Sequence, residues 1–234
     1  MEWPNPLKPA ELSEERIIQA ILDGTFPINS LLPSERDLSV QLGITRPTLR
    51  ETLQRLARDG WLDIRHGRQT RVKNYWQEGN IAVLAAIARH SRRLPDNFIP
   101  DLLAVRKLLA PAYTRMAIEN NPEGVIELLQ GYMTLEDMPH SYSQADLDLH
   151  RYLAIASKNP VFTMILNGLV ELYLAMGERY FEMPAARRHA KKFYSDLEQY
   201  AQQRDSNAAE RMTTIVMAET IMMWQAVNTA KNNL

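Results

Sequence analysis

Apolar residues recur at helical spacing in three short runs near the start of the chain, each closed by a glycine. In ELSEERIIQAILDG, Ile17, Ile18, Ile21 and Leu22 share one face, which predicts a helix from Glu11 with Ser13 as N-cap and Gly24 as its stop. A second, shorter helix follows Ser34, whose side chain can cap it, with Asp37 in the capping-box position, Leu38 and Leu42 inward, and Gly43 just past the end. A third is predicted from Thr45 to Gly60. Pro47 is tolerated in its first turn, and Leu49, Leu53, Leu56 and Ala57 gather on one face.

After Gly60 the period changes to two. Trp61 to Ile64 alternate, RHGR can turn, and Gln69 to Val72 alternate back, so a small hairpin is expected. Three short helices and a basic hairpin make a winged helix-turn-helix, whose third helix enters the major groove of DNA with the hairpin alongside. Residues from Asn80 onward are helical in period throughout, punctuated by Pro95, Pro100, Pro122, Pro139, Pro160 and Pro184, with Pro111 inside a helical run where a kink or break is expected. The fold class is therefore mainly α. A winged helix-turn-helix over 1–74 and a linker over 75–79 precede an all-α bundle of six or seven helices over 80–234.

Charge sharpens this picture. The chain carries a net charge of -1, yet between Ile44 and Tyr75 eight basic residues face three acidic ones, a surplus of five. Such asymmetry points to an anionic partner at one end, most often nucleic acid. Arg46 and Arg50 stand one turn apart at the start of the third helix, where a planar guanidinium can donate two hydrogen bonds to O6 and N7 of guanine. His66 and Gly67 at the wing tip combine a side-chain donor with close backbone approach, which suits a narrow groove. With no cysteine, disulfides, thiol nucleophiles and thiolate metal sites are excluded. No stretch resembles a signal peptide or reaches the ~20 apolar residues that span a bilayer, so a cytoplasmic protein without membrane contact is expected.

The residues LPSERDLSVQLGITRPTLRETLQRLARDGWLDIRHGRQTRV resemble the DNA-binding module of the GntR superfamily of bacterial transcription regulators. The helical part resembles the ligand-sensing domain of the FadR branch. ASKNPVFTMILNGLVELY and MGERYFEMPAARRHAKKFY carry a narrower similarity to that branch's regulators of fatty acid metabolism. The resemblance implies a homodimeric repressor and activator that binds a short palindromic operator in double-stranded DNA and is released by long-chain acyl-coenzyme A, with no resident cofactor. It carries the DNA contacts onto Arg36, Thr45, Arg46, Thr48, Arg50, His66 and Gly67, with Pro47 a local variation.

Many relatives in the branch hold a divalent metal with one aspartate and three histidines to grip a small carboxylate. Here Asp146 and His150 remain, four apart on one helical face, but Tyr194 and Val216 stand where the other histidines align. Two protein ligands rarely suffice, so no metal is expected, and the pair is read as a hydrogen-bonded couple at the mouth of a cavity. Tyr173, Tyr180, Tyr194 and Trp224, with Met212, Met217, Met222 and Met223 near them in sequence, suit an alkyl chain and an aromatic head group. Arg106 and Glu219 face the ligand by resemblance alone; Val216 and Met217 replace a tyrosine and a glycine expected beside it. The alternatives are a sensor of a small organic acid through a metal, and a thioesterase or acyltransferase with an attached DNA-binding module. For the latter no GxSxG, Ser/His/Asp signature or phosphate-binding glycine loop is present.

Overall fold

The computed structural model describes residues 8–91 and 97–232, leaving aside the side chains of residue 175 and of residues beyond 226; Pro95 lies outside the described residues. Two compact units divide between Leu94 and Pro95.

In the first unit, helices α1 (Pro9–Leu22), α2 (Glu35–Leu42) and α3 (Arg46–Asp59) precede strands β1 (Leu62–Asp63) and β2 (Arg71–Val72), a single helical turn α4 (Tyr75–Glu78) and α5 (Ile81–His90). The buried stripe of α1, Ile17, Ile18 and Ile21, meets that of α3, Leu49, Leu53 and Leu56. Ser34 accepts from the Asp37 amide and Thr45 from the Thr48 amide, while Gly43 and Gly60 end α2 and α3 in the left-handed conformation. Ser13, expected as an N-cap, instead lies one turn inside α1, which starts after Lys8. It is buried, and its hydroxyl sits 2.9 Å from that of Thr52 on α3.

The hairpin pairs Leu62 with Val72 and Asp63 with Arg71, antiparallel. It has a third edge that alternation did not reveal. Leu31 bridges to Arg71, the Leu32 amide donates to Thr70 O at 2.8 Å, and the Val72 amide donates to Ser30 O at 2.9 Å, so the wing is tied to the chain entering α2. Where the sequence reading places a linker at 75–79, the chain forms α4. Glu78 accepts from the Asn74 amide at 3.0 Å and from Arg71 at 3.2 Å. Asn80 then caps α5, which packs its buried Val83, Ala86 and Ile87 toward α1 and extends the first unit past residue 74.

The second unit holds seven α-helices among the described residues: α6 (Phe98–Asn120), α7 (Pro122–Gln130), α8 (Pro139–Ala156), α9 (Pro160–Asn167), α10 (Val170–Phe181), α11 (Pro184–Gln203) and α12 (Ser206–Asn232), with one 3-10 turn at Gly131–Thr134. Pro122, Pro139, Pro160 and Pro184 each open a helix, where a missing amide hydrogen costs nothing. Pro111 is buried within α6, which runs through it without a break. The long α6 packs against α12 and α8, and α10 against α8. There Gly177 lets the backbones close in: a Cβ on it would stand 2.5 Å from Ser143 Oγ. No single helix among the described residues is long and apolar enough to cross a membrane.

Gly60 is a close approach in the first unit that also needs a left-handed backbone. Its φ is +100°, and a Cβ there would meet Gly79 Cα at 3.1 Å and Asn80 N at 3.2 Å. Gly60→Ala should lose about 1–3 kcal/mol from the strained dihedral and this contact, read as a lower urea midpoint at unchanged slope. An unchanged midpoint would contradict the close approach.

Candidate DNA-binding face and ligand cavity

The residues assigned to DNA lie at three places on the first unit. Arg36 is in the first turn of α2, Thr45, Arg46, Thr48 and Arg50 at the start of α3, and His66 and Gly67 in the turn between β1 and β2. All are exposed except the half-buried Thr48. Thr45 and Thr48 share a hydroxyl hydrogen bond of 2.8 Å. Gly67 has a φ of +71°, which the tight wing turn requires. The two helix starts are joined through Arg50, whose Nε donates to Glu35 Oε2 on α2 at 2.7 Å. Glu35 is a residue that charge counting passed over.

In the second unit, α6, α8, α9, α10 and α12 surround a partly open cavity of about 100 Å³. Ligand sites for small organic molecules commonly run to roughly 300–1,000 Å³, so a ligand of that size needs these walls to part. One face of α6 supplies Ile99, Leu102, Leu103, Arg106, Leu109 and Tyr113, spaced at three and four residues. Ile165, Leu166 and Leu169 close a second side, and Leu172, Tyr173, Met176 and Tyr180 of α10 a third. Thr220 and Trp224 of α12 complete the wall.

Of the residues expected around a ligand, Arg106, Asp146, Tyr173, Tyr180 and Trp224 line this space. His150 and Tyr194 do not: they lie behind its wall, 0% and 5% exposed, and not at the mouth. Glu219 is further away, paired with His189 at 2.7 Å along a groove between α11 and α12. Thr220 and Trp224 are one turn apart on α12, so Glu219, one residue earlier, lies about 100° round the helix. Of the four methionines singled out, Met212 borders that second groove, Met222 is exposed, Met217 is buried, and Met223 accepts from the Tyr180 hydroxyl at 3.6 Å.

The polar side of the cavity is one network. Arg106 Nη2 donates to Asp146 Oδ2 at 2.8 Å, the Tyr173 hydroxyl donates to the same oxygen at 2.5 Å, and Tyr194 donates to Oδ1 at 3.3 Å. Arg106 also donates to His150 Nε2. A guanidinium has no acceptor, so Nε2 must be the bare nitrogen, and Nδ1–H donates to the Tyr113 oxygen at 2.7 Å. The tautomer is thereby fixed, and the Tyr113 hydroxyl hydrogen has no use within the network. Two more donors at the cavity wall, Arg106 Nε and Trp224 Nε1, are buried without a hydrogen-bond partner among the described residues.

Burial opposes the charge on Asp146 most strongly, but the Arg106 guanidinium, the other groups around it and the hydrogen bonds from Tyr173 and Arg106 together outweigh it and hold the carboxyl below its usual range. Arg106 is likewise held charged: the cost of burial is offset by Asp146, through charge and hydrogen bond, together with the phenol oxygens of Tyr173 and Tyr113. Burial and then Arg106 press the His150 pKa down to about 3. Burial raises the Tyr113, Tyr173 and Tyr194 phenols. A divalent ion does not fit here. Both His150 nitrogens are engaged, a fixed cation already bridges His150 and Asp146, and no group of three or more His, Asp or Glu able to hold a metal exists among the described residues.

A neutral buried histidine makes stability depend on pH. The unfolded chain takes up a proton near 6.5 that the folded chain refuses until about 3, so the contribution is complete above 6.5 and lost as pH falls through that window. Asp146, with its depressed pKa, loses its own contribution in the same direction at lower pH. Unfolding free energy should fall by up to about 1.4 kcal/mol per pH unit for the His150 proton, and His150→Gln should flatten that slope. Urea midpoints across this range with parallel slopes in both proteins would contradict the assignment.

Residues 10–72 match the family of bacterial regulatory proteins, gntR family, and residues 73–233 match the FadR C-terminal domain. The chain is 44% identical over 190 residues to the fatty acid metabolism regulator protein of Pectobacterium atrosepticum, covering 81% of this chain and 80% of that one. It is 41% identical over 224 residues to the protein of the same name from Shewanella frigidimarina, covering 94% and 92%. Among solved structures it is similar in fold to Lar, which controls the expression of the Listeria monocytogenes agr system, with a TM-score of 0.64 at 15% identity over 94% of this chain and 98% of that one. The chain thus belongs to the GntR family of bacterial regulatory proteins and carries a FadR C-terminal domain behind its winged helix: it is a transcription regulator and not an enzyme.

Proposed function

We propose that this regulator controls fatty acid breakdown and synthesis, binds double-stranded operator DNA as a homodimer, and leaves it when a long-chain acyl-coenzyme A enters the second unit. The observation that carries the reading is the cavity: apolar on every side but one, open at a mouth, and about 100 Å³ as it stands, so that a long acyl tail enters by spreading its walls. Its apolar sides suit an acyl tail, each buried methylene contributing ~0.8 kcal/mol. Relatives at 41–44% identity are named as fatty acid metabolism regulators, which agrees with such a tail.

The head group has two sources of recognition in this reading. Arg179 lies over the Trp224 ring at 5.8 Å and can meet phosphate, and the Tyr180 and Trp224 rings, 6.3 Å apart, can take an adenine face. The thioester carbonyl supplies what the wall lacks. Tyr113 O–H, Arg106 Nε and Trp224 Nε1 are donors without acceptors, and each buried donor left so costs about 1–3 kcal/mol. A ligand that lets them rearrange onto an acceptor favours one state of the domain over another, which release from DNA requires, since equal binding to both states shifts nothing. Two recognition helices related by a twofold axis read the two halves of a palindrome, and Arg46 and Arg50 read guanine in each.

Titrating acyl-coenzyme A of increasing chain length against the operator complex tests this reading. Four added carbons should tighten the apparent affinity by ~3 kcal/mol until the cavity is full, after which it levels off. Trp224→Ala should weaken the response while leaving operator affinity intact. Release by zinc plus citrate, with no response to any thioester, would transfer the function to a sensor of small organic acids.

A further inference from the structure

Arg50 is held by an acid. Its Nε–H donates to Glu35 Oε2 at 2.7 Å, and Glu35 belongs to α2, fifteen residues away, not to the helix that carries Arg50. The other paired arginines of α3 sit toward its C-terminal half, away from the start of α2: Arg55 binds Glu51 and, more loosely at 3.8 Å, Glu14 of α1, and Arg58 binds Asp59. The side chains of Arg50 and Glu35 are 69% and 42% exposed. A pair so exposed adds little to folding stability, and a carboxylate beside a DNA-reading arginine repels phosphate.

We infer that Glu35 is a specificity-determining positioning residue that acts through Arg50. A guanidinium can make a two-bond fork with either its Nε/Nη side or its Nη/Nη end. With Nε–H on Glu35, the side edge is closed and the end remains, two parallel donors suited to O6 and N7 of guanine. The same ion pair part-neutralises Arg50 toward phosphates, which present charge but no sequence. Arg50 therefore gains little from nonspecific DNA and keeps its fork for the base. Glu35 lowers affinity everywhere and lowers it least at the operator.

The inference rests on α3 being the recognition helix, and one set of variants separates the two claims. A duplex selected from a random pool by the unaltered full-length chain serves as specific probe, and a scrambled duplex of the same composition as nonspecific probe. Affinities are measured over a salt series for Glu35→Gln, Arg50→Ala and the double variant. Glu35→Gln should tighten binding to the scrambled duplex and steepen its log–log salt dependence by about one, as the freed Arg50 takes a phosphate. The specific-to-nonspecific ratio should drop by about fivefold, the upper worth of an exposed ion pair. In the Arg50→Ala background the same substitution should leave the ratio unchanged. A change in thermal stability alone, with the ratio intact, would reduce Glu35 to a favourable charge at a helix start and overturn the inference, as would an equal loss with and without Arg50. If Arg50→Ala itself leaves the ratio intact, the recognition-helix reading fails too; if Arg50→Ala collapses it while Glu35→Gln is neutral, only the role of Glu35 falls. The Nε–H resonance of Arg50, followed by NMR, should stay shifted and slow to exchange in the operator complex of the unaltered protein and lose both features in Glu35→Gln.

Discussion

A carboxylate placed between packed helices costs several kcal/mol unless a cation and hydrogen bonds meet it, and the second unit is arranged around one such carboxylate. Asp146, 5% exposed, draws Arg106 from α6, Tyr173 from α10 and Tyr194 from α11 onto its two oxygens. Arg106 then dictates the rest: being a donor only, it fixes which His150 nitrogen is bare, and His150 in turn fixes the Tyr113 oxygen as an acceptor. Four helices are thus held by directional bonds beside a cavity whose other walls are held by nondirectional packing. That division suits a sensor. In the proposed reading the apolar walls would accept a tail of variable length, while the donors left unsatisfied on the polar side would give a ligand something to change.

The arginine also stands where an ion would otherwise be needed. Arg106 supplies, covalently attached, the positive charge that Asp146 and His150 would otherwise require from an ion. At the remaining positions where such relatives carry histidines by resemblance stand Tyr194, which bonds to Asp146, and Val216, which borders the groove between α11 and α12.

The first unit was largely legible in the sequence because its signals are local. The N-caps Ser34 and Thr45, the stops Gly43 and Gly60, and the change of period after Gly60 depend only on neighbours in the chain. Ser13 misled because a serine near a helix start reads as a cap, whereas a contact with Thr52, across helices, decides its role. The third edge of the wing and the turn at 75–79 were hidden for the same reason: both arise from tertiary pairing, with Ser30, Leu31 and Arg71. In the second unit a signal was present and unused. Ile99, Leu102, Leu103, Arg106, Leu109 and Tyr113 form one apolar stripe interrupted by an arginine, which marks both the cavity wall and its buried charge. Arg106 entered instead by family resemblance. Resemblance also carried Glu219, which is one residue out of phase with the cavity face of α12.

The claim that the Arg106–Asp146 pair governs this unit is tested most directly by a double-mutant cycle on unfolding free energy, with Arg106→Met, Asp146→Leu and the two combined. Each single change leaves a buried charge without its partner and should cost about 3–5 kcal/mol, whereas the double change removes both charges and should recover most of that loss. Single costs that simply add in the double variant, or singles that cost less than about 1 kcal/mol, would show that the pair is not the constraint on which the domain depends.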